Sequence, residues 1–347
     1  MIPLEPNWAD PHFWLFLSVV ALAVTFDYIN GFHDAANAIA TVVATKVLSP
    51  RTAVLFGAVL NTVGAFLGTE VAATVGKGFV SQTALSLETL LFALIGATAW
   101  NLFTWWKGLP SSSSHALIGS LLGATFFSVL GHARGDEIQW GNILQKLVIP
   151  MFTSPVVGFV VGYAVMALLS WAVYRLSLRF INGTFGKLQL ISSGLMALEH
   201  GRNDAQKTMG IIALAVAIYT QAPPSGFRVE PWIVLVCALA MGLGTMSGGW
   251  KIMRTIGSKM IKIQPIHGFA AETTAALVIQ VCSHAGIPLS TTHVITTSIM
   301  GVGATKRLSA VKWNVVQNIV VAWLLTIPAT FTLAGLLVWL YEGLTGG

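Results

Sequence analysis

Gly31-Phe32-His33-Asp34-Ala35-Ala36-Asn37-Ala38 and Gly201-Arg202-Asn203-Asp204-Ala205-Gln206-Lys207 decide how this chain folds. A second motif follows each of them. Gly108-Leu109-Pro110-Ser111-Ser112-Ser113-Ser114-His115 comes after the first, and Gly286-Ile287-Pro288-Leu289-Ser290-Thr291-Thr292-His293 after the second. The first members stand 170 positions apart and the second members 178. The chain therefore reads as two copies of one unit. Each copy sets a carboxylate and a hydroxyl cluster inside an apolar run. Charge within a membrane is costly, so such residues mark a substrate or ion path.

Composition agrees. Of 347 residues, 55% are hydrophobic and 9% charged, against about 25% charged in soluble domains. Apolar stretches recur along the whole chain, which predicts an all-α polytopic membrane protein in the cell (inner or plasma) membrane. The N-terminal stretch is acidic and has no basic region before its first apolar run, so no cleavable signal peptide is expected. The net charge of +6 is assigned to cytoplasmic loops and not to nucleic acid. Cys237 and Cys282 sit in apolar runs and read as small packing residues.

Ten hydrophobic elements are expected, five per half. They lie near 12–46, 52–75, 88–106, 110–131 and 145–176, then near 187–219, 231–250, 266–283, 288–305 and 313–341. The repeats are bounded at 12–180 and 187–342, joined by a short link near 177–187. With re-entrant or broken elements the count becomes 10–12 membrane-spanning helices. The first element of each half is too long for one plain span, and a break is expected at Asn30-Gly31 and at His200-Gly201.

Charge sets the orientation. With the N-terminus outside, Lys46, Arg51, Lys107, Arg175, Arg179, Lys187, Lys251, Arg254, Lys259, Lys262, Lys306, Arg307 and Lys312 fall inside. Only Lys77, Arg134, Lys146 and Arg228 fall outside, a positive-inside bias. Glu5, Asp10 and Glu342 then face outward with both termini, which are predicted extracytoplasmic. Five crossings invert the second copy relative to the first. Inverted repeats with a midplane site are a transporter architecture.

Pro110 and Pro288 end one helix, and a hydroxyl run opens the next. A helix start has unpaired N–H groups and partial positive charge, which favour an anion. Ser112, Ser113, Ser114, Ser290, Thr291 and Thr292 are thus the candidate oxyanion site. The plain alternative is ordinary N-capping. Asp34 and Asp204, with Asn30, Asn37 and Asn203 near them, are candidate ligands for Na⁺ or a proton. Glu272 is a further intramembrane candidate for the coupling ion, and Asp27 a weaker one that could simply pair with a neighbour. His33, His115, His200 and His293 are candidate proton relays, with neutral packing roles as the alternative. Arg202 and Lys207 could balance Asp204 or Glu199, or draw an anion.

These motifs resemble the inorganic phosphate transporter (PiT) family, in the bacterial low-affinity form. The resemblance includes Gly244-Thr245-Met246-Ser247-Gly248-Gly249-Trp250 and runs from about residue 15 to 340. It implies a secondary active transporter taking up phosphate, or a metal–phosphate complex, by symport with H⁺ or Na⁺. It also implies that Asp34, Asn37, Asp204 and the two hydroxyl runs form the phosphate and cation sites. No cofactor beyond the coupling ion is implied, the partners are phosphate, cation and lipid bilayer, and a homo-oligomer is compatible. Two readings stand beside it: a sulfate permease of the same family, and a membrane-embedded hydrolase using Ser112, His115 and Asp34. Redundant hydroxyls in a doubled, inverted set speak against an enzyme.

Overall fold

The computed structural model describes residues 8–129 and 137–345. Glu5 and Arg134 lie outside the described residues. The first half contains α1 (Pro11–Ala44), α2 (Pro50–Ala65), α3 (Glu70–Lys77), α4 (Leu87–Lys107), α5 (Ser113–Val129), α6 (Trp140–Ile143) and α7 (Ile149–Val173). The second contains α8 (Leu178–Tyr219), α9 (Pro231–Ser247), α10 (Trp250–Arg254), α11 (Pro265–His284), α12 (Thr291–Ala304) and α13 (Trp313–Thr345). A π-helical turn, Leu144–Val148, fuses α6 to α7.

Local sequence sets these boundaries. Asp10, Ser49, Ser86 and Ser177 each cap a helix through the side chain, and Pro occupies the first turn of α1 and α2. A capping box between Gln264 and His267 opens α11. Gly108, at φ 68°, ends α4 in the left-handed conformation that a side chain disfavours. Two expected single elements are bent pairs instead: α2 and α3 meet at 72°, and α9 meets the helical stretch from Trp250 to Lys259 at 60°.

Four helical stretches are long and apolar enough to cross a membrane, or six if each bent pair is one span. The chain is thus an all-helical, multi-pass membrane protein. The elements that fall short are α5, α8, α11 and α12, which are short or polar. These carry most of the candidate site residues, so the same polarity that serves the site hides them from a hydropathy test. Lipid-facing surface is plain on α7, where Phe152, Val156, Val160, Leu168 and Trp171 are all exposed.

The principal helix contacts exchange in pairs between the halves. α1 packs on α9 as α8 packs on α2, and α5 packs on α13 as α12 packs on α7. α1 meets α4 as α8 meets α11, and α1 meets α8 directly. Each half therefore completes its packing with elements of the other.

Two expectations are corrected. Residues 177–187 are no linker: Ser177 caps α8 and the helix starts at Leu178, so a first repeat ending at 180 would cut into it. Nor do α1 and α8 break at Gly31 and Gly201; both run through as continuous α-helices. The glycines serve close packing. A Cβ on Gly31 would sit 2.4 Å from the Met241 carbonyl oxygen, and one on Gly201 2.1 Å from that of Asn61. Backbone meets backbone there, as small residues permit between membrane helices. Gly201→Ala should lower thermal stability in detergent by about 1–3 kcal/mol of overpacking. An unchanged melting temperature would show that α2 and α8 are not pressed together at this point.

Candidate functional site

α1 and α8 lie side by side and bury Asp34 and Asp204. Asp34 Oδ2 accepts a hydrogen bond from Ser113 Oγ at 2.7 Å. Its Oδ1 lies 2.6 Å from His33 Nδ1 and accepts from Thr292 Oγ1 at 3.5 Å. Asp34 thus touches the hydroxyl runs of both halves. Asn37 Nδ2, one turn on, donates to Thr292 Oγ1 at 2.9 Å and approaches Thr291 Oγ1 at 3.3 Å.

Asp204 is built similarly but holds a cation. Its Oδ2 accepts from Thr291 Oγ1 at 3.1 Å. Lys207 Nζ donates to Asp204 Oδ1, to Ser114 Oγ and, at 3.0 Å, to the Leu289 carbonyl oxygen. His200 Nε2 stands 3.2 Å from Asp204 Oδ2, at ion-pair distance. Lys207 therefore balances Asp204, one of the roles open to it from sequence. Leu289, which interrupts the hydroxyl run, contributes its backbone oxygen, to which Ser114 Oγ also donates at 3.2 Å.

The two hydroxyl runs therefore meet. From Ser111 to Ser114 and from Ser290 to Thr292 no residue is more than 3% exposed. Ser112 and Ser290 act as caps, accepting from the backbone N–H of His115 and His293 at 3.2 and 3.3 Å. Ser113, Ser114, Thr291 and Thr292 point at the carboxylates and Lys207 instead. Capping and site-building are thus divided within each run. With histidines neutral, this centre carries one more negative than positive formal charge: Asp34 and Asp204 against Lys207.

The remaining candidates sort by distance. His33 and His200 touch the carboxylates. His115 and His293 do not: they pack edge to face with centroids 4.8 Å apart, and His293 lies 4.0 Å from the Trp323 ring. Asn203 turns away from the carboxylates to Ser283 Oγ at 2.8 Å. Asn30 is buried with its side-chain oxygen unpartnered. Glu272 belongs to a second cluster, accepting from Thr41 Oγ1, Ser192 Oγ and Gln189 Nε2, the last at 3.0 Å. Asp27 accepts from Thr208 Oγ1 at 2.9 Å. Thr41, Gln189 and Ser192 escaped the sequence reading. Thr41 was accessible to it, lying two helical turns beyond Asp34 on the Asn37 side.

A profile of the phosphate transporter family matches residues 30–334. The chain belongs to that family. It is a transporter, not an enzyme. Among the described residues no hydrogen bond joins the Ser112 and His115 side chains, so the hydrolase reading also lacks its geometry. A Rhizobium meliloti (strain 1021) protein named a probable low-affinity inorganic phosphate transporter is 44% identical over 326 residues, 93% of this chain and 96% of that one. A Bacillus subtilis (strain 168) protein of the same name is 41% identical over 324 residues, again 93% and 96%. A solved structure titled "The sodium-dependent phosphate transporter" superposes with a TM-score of 0.85 at 23% identity, covering 94% of this chain and 99% of that one. That likeness establishes the fold.

Lys207→Met should strand the buried Asp204 carboxylate and cost about 3–5 kcal/mol. Adding Asp204→Asn should recover much of the loss. Melting temperatures of the two single variants and the double variant check this. Additive losses would show that the two groups do not stabilise each other.

Proposed function

We propose that this transporter takes up inorganic phosphate, alone or as a metal–phosphate complex, by secondary active symport with H⁺ or Na⁺. Three things support the substrate. The relatives that match nearly the whole chain are named phosphate transporters. Hydroxyl donors and the Lys207 ammonium converge at two helix starts, donors suited to a tetrahedral oxyanion. Hydrogen phosphate also carries a proton that Asp34 or Asp204 can accept, which sulfate lacks.

The observation that carries symport is the charge of the centre. Two buried carboxylates face a single ammonium. A phosphate dianion brought beside them would leave buried charge uncompensated, at a large cost. A co-bound cation removes that cost, so anion and cation enter together. The proton is the favoured ion, because His33 and Asp34 form a hydrogen-bonded pair that can hold one at 2.6 Å. A metal cation is the second reading, since Asp34, His200 and Asp204 each bring a ligand atom within 4.8 Å of one another. In this reading Asp34, Asn37 and Asp204 bind the coupling ion, and Ser113, Ser114, Thr291 and Thr292 bind phosphate. His115 and His293 support the helix starts, and Glu272 serves as a separate ion station.

The two halves are read as inverted copies around this centre. The pairwise exchange of helix contacts supports that arrangement. The positive-inside bias supports extracytoplasmic termini in a plasma or inner membrane.

Proteoliposomes given radiolabelled phosphate or sulfate, under imposed H⁺ or Na⁺ gradients, test the reading. Phosphate should accumulate under one gradient and sulfate under neither. Absence of phosphate accumulation under both would end it. Asp34→Asn should abolish concentrative uptake while the protein remains in the membrane; accumulation at the wild-type level would remove Asp34 from coupling. Ser113→Ala with Thr291→Ala should raise the phosphate KM about thirtyfold, for two lost hydrogen bonds of roughly 1 kcal/mol each. An unchanged KM would move the anion site elsewhere.

A further inference from the structure

Around the carboxylates one contact repeats at the spacing of the motifs: Ser113 donates to Asp34 as Thr291 donates to Asp204. In the first half His33 Nε2 meets Thr104 Oγ1 at 3.0 Å. In the second, Asn203 Nδ2 donates to Ser283 Oγ at 2.8 Å. One residue away on both helices of each pair, the chemistry diverges. Phe32 and Trp105 meet edge to face with ring centroids 5.2 Å apart. In the second half Arg202, 170 positions after Phe32, meets His284, which stands 178 positions after Trp106: Nη1 lies 3.0 Å from Nε2 and Nη2 3.1 Å from Nδ1.

That Arg–His contact leaves the guanidinium undersatisfied. A neutral imidazole has one acceptor nitrogen, so only one of the two approaches is a hydrogen bond. Arginine has five N–H donors in a fixed fork. Arg202 is only 6% exposed, yet its Nε has no hydrogen-bond partner among the described residues. Among the described residues Arg202 makes no ion pair at contact distance, and Glu199 is the acid whose charge acts on it and on His284. Glu199, one turn earlier on α8, keeps a buried and unpartnered Oε2. A nearly buried cation with open donors is costly to maintain unless an anion uses it.

Its surroundings mark an aqueous mouth. His284 is the last residue of α11 and is exposed at the turn into α12. Thr74 borders that turn, its Oγ1 3.2 Å from where a Cβ on Gly286 would stand, and Lys146 Nζ donates to it at 3.1 Å. A second cation thus stands beside the same turn. The turn leads inward as well: Asn203 Nδ2 reaches the Ile287 carbonyl oxygen at 3.4 Å, and Leu289 two residues on contacts Lys207.

We infer that Arg202 and His284 form an oxyanion-docking station at the α11–α12 mouth, separate from the central hydroxyl site. The ligand is a tetrahedral oxyanion, phosphate in the reading above, on which this inference rests. The guanidinium fork fits two oxygens of such an anion at once. His284 supplies a further donor from the exposed side. Glu199 offers Arg202 an alternative partner when the anion moves on toward Thr291. In the orientation proposed above, the docking mouth is extracytoplasmic.

Initial rates of phosphate transport, measured separately in right-side-out and inside-out vesicles, test the station. Arg202→Gln should raise the phosphate KM at least fivefold from the extracytoplasmic side and change it by less than twofold from the other. Its loss should fall mainly in KM, with a smaller effect on the saturated rate. Arg202→Lys keeps the charge but not the fork and should give a two- to threefold rise on the same side. It carries the test if Arg202→Gln is not recovered in membranes. A KM within the wild-type error on the extracytoplasmic side, or an equal rise from both sides, overturns the station. Failure of the wild-type protein to transport phosphate in these vesicles would instead overturn the phosphate reading.

Discussion

The Lys207 ammonium is the contact on which this molecule turns. It binds Asp204 on its own helix, Ser114 at the start of α5 and the Leu289 carbonyl just before α12. One buried cation thereby pins both hydroxyl runs to α8. Without it, Asp204 would be an uncompensated charge, and the starts of α5 and α12 would lose their common partner. The rest of the centre follows from the same constraint. Asp34 has no lysine, so it is satisfied by hydroxyls and His33. With its histidines neutral the centre carries one excess negative formal charge spread over hydrogen bonds, the feature on which the proposed symport rests.

This asymmetry separates two jobs that a strictly repeated protein would perform twice. The Asp204 half carries a permanent cation, so its carboxylate is occupied. The Asp34 half has Asn37 where the other has Lys207, and Asn37 reaches across to Thr291 and Thr292. In the proposed reading the coupling ion then draws mainly on Asp34, with Asp204 adding what Lys207 leaves open. Arg202 likewise stands where the first half has Phe32.

Much of this was legible in the sequence. The motif pairs located both carboxylates and both hydroxyl runs, and Pro110 and Pro288 placed the helix starts within a few residues. The glycines misled. Gly31 and Gly201 read as breaks, because sequence alone does not show that a neighbouring backbone presses on them. The bends lie instead in the second element of each half, at Phe66–Thr69 and Gly248–Gly249. The separate Glu272 cluster was also hidden, since Gln189 and Ser192 meet Glu272 only through the packing of α8 on α11. His115 and His293 sit within the motifs, yet their rings face each other and not the carboxylates. Motif membership fixed their position in the chain but not the direction of their side chains.

The central claim is that the buried charge of the Asp34–Asp204–Lys207 centre admits phosphate only together with a cation. Calorimetric titration of the purified transporter with phosphate measures this directly, at stepped Na⁺ concentration and stepped pH, with correction for the ionisation of phosphate itself. Binding linkage requires phosphate affinity to rise with the coupling ion, by about tenfold per tenfold increase for one ion below saturation. The account predicts that slope for H⁺ or for Na⁺. A phosphate affinity independent of both ions would contradict it.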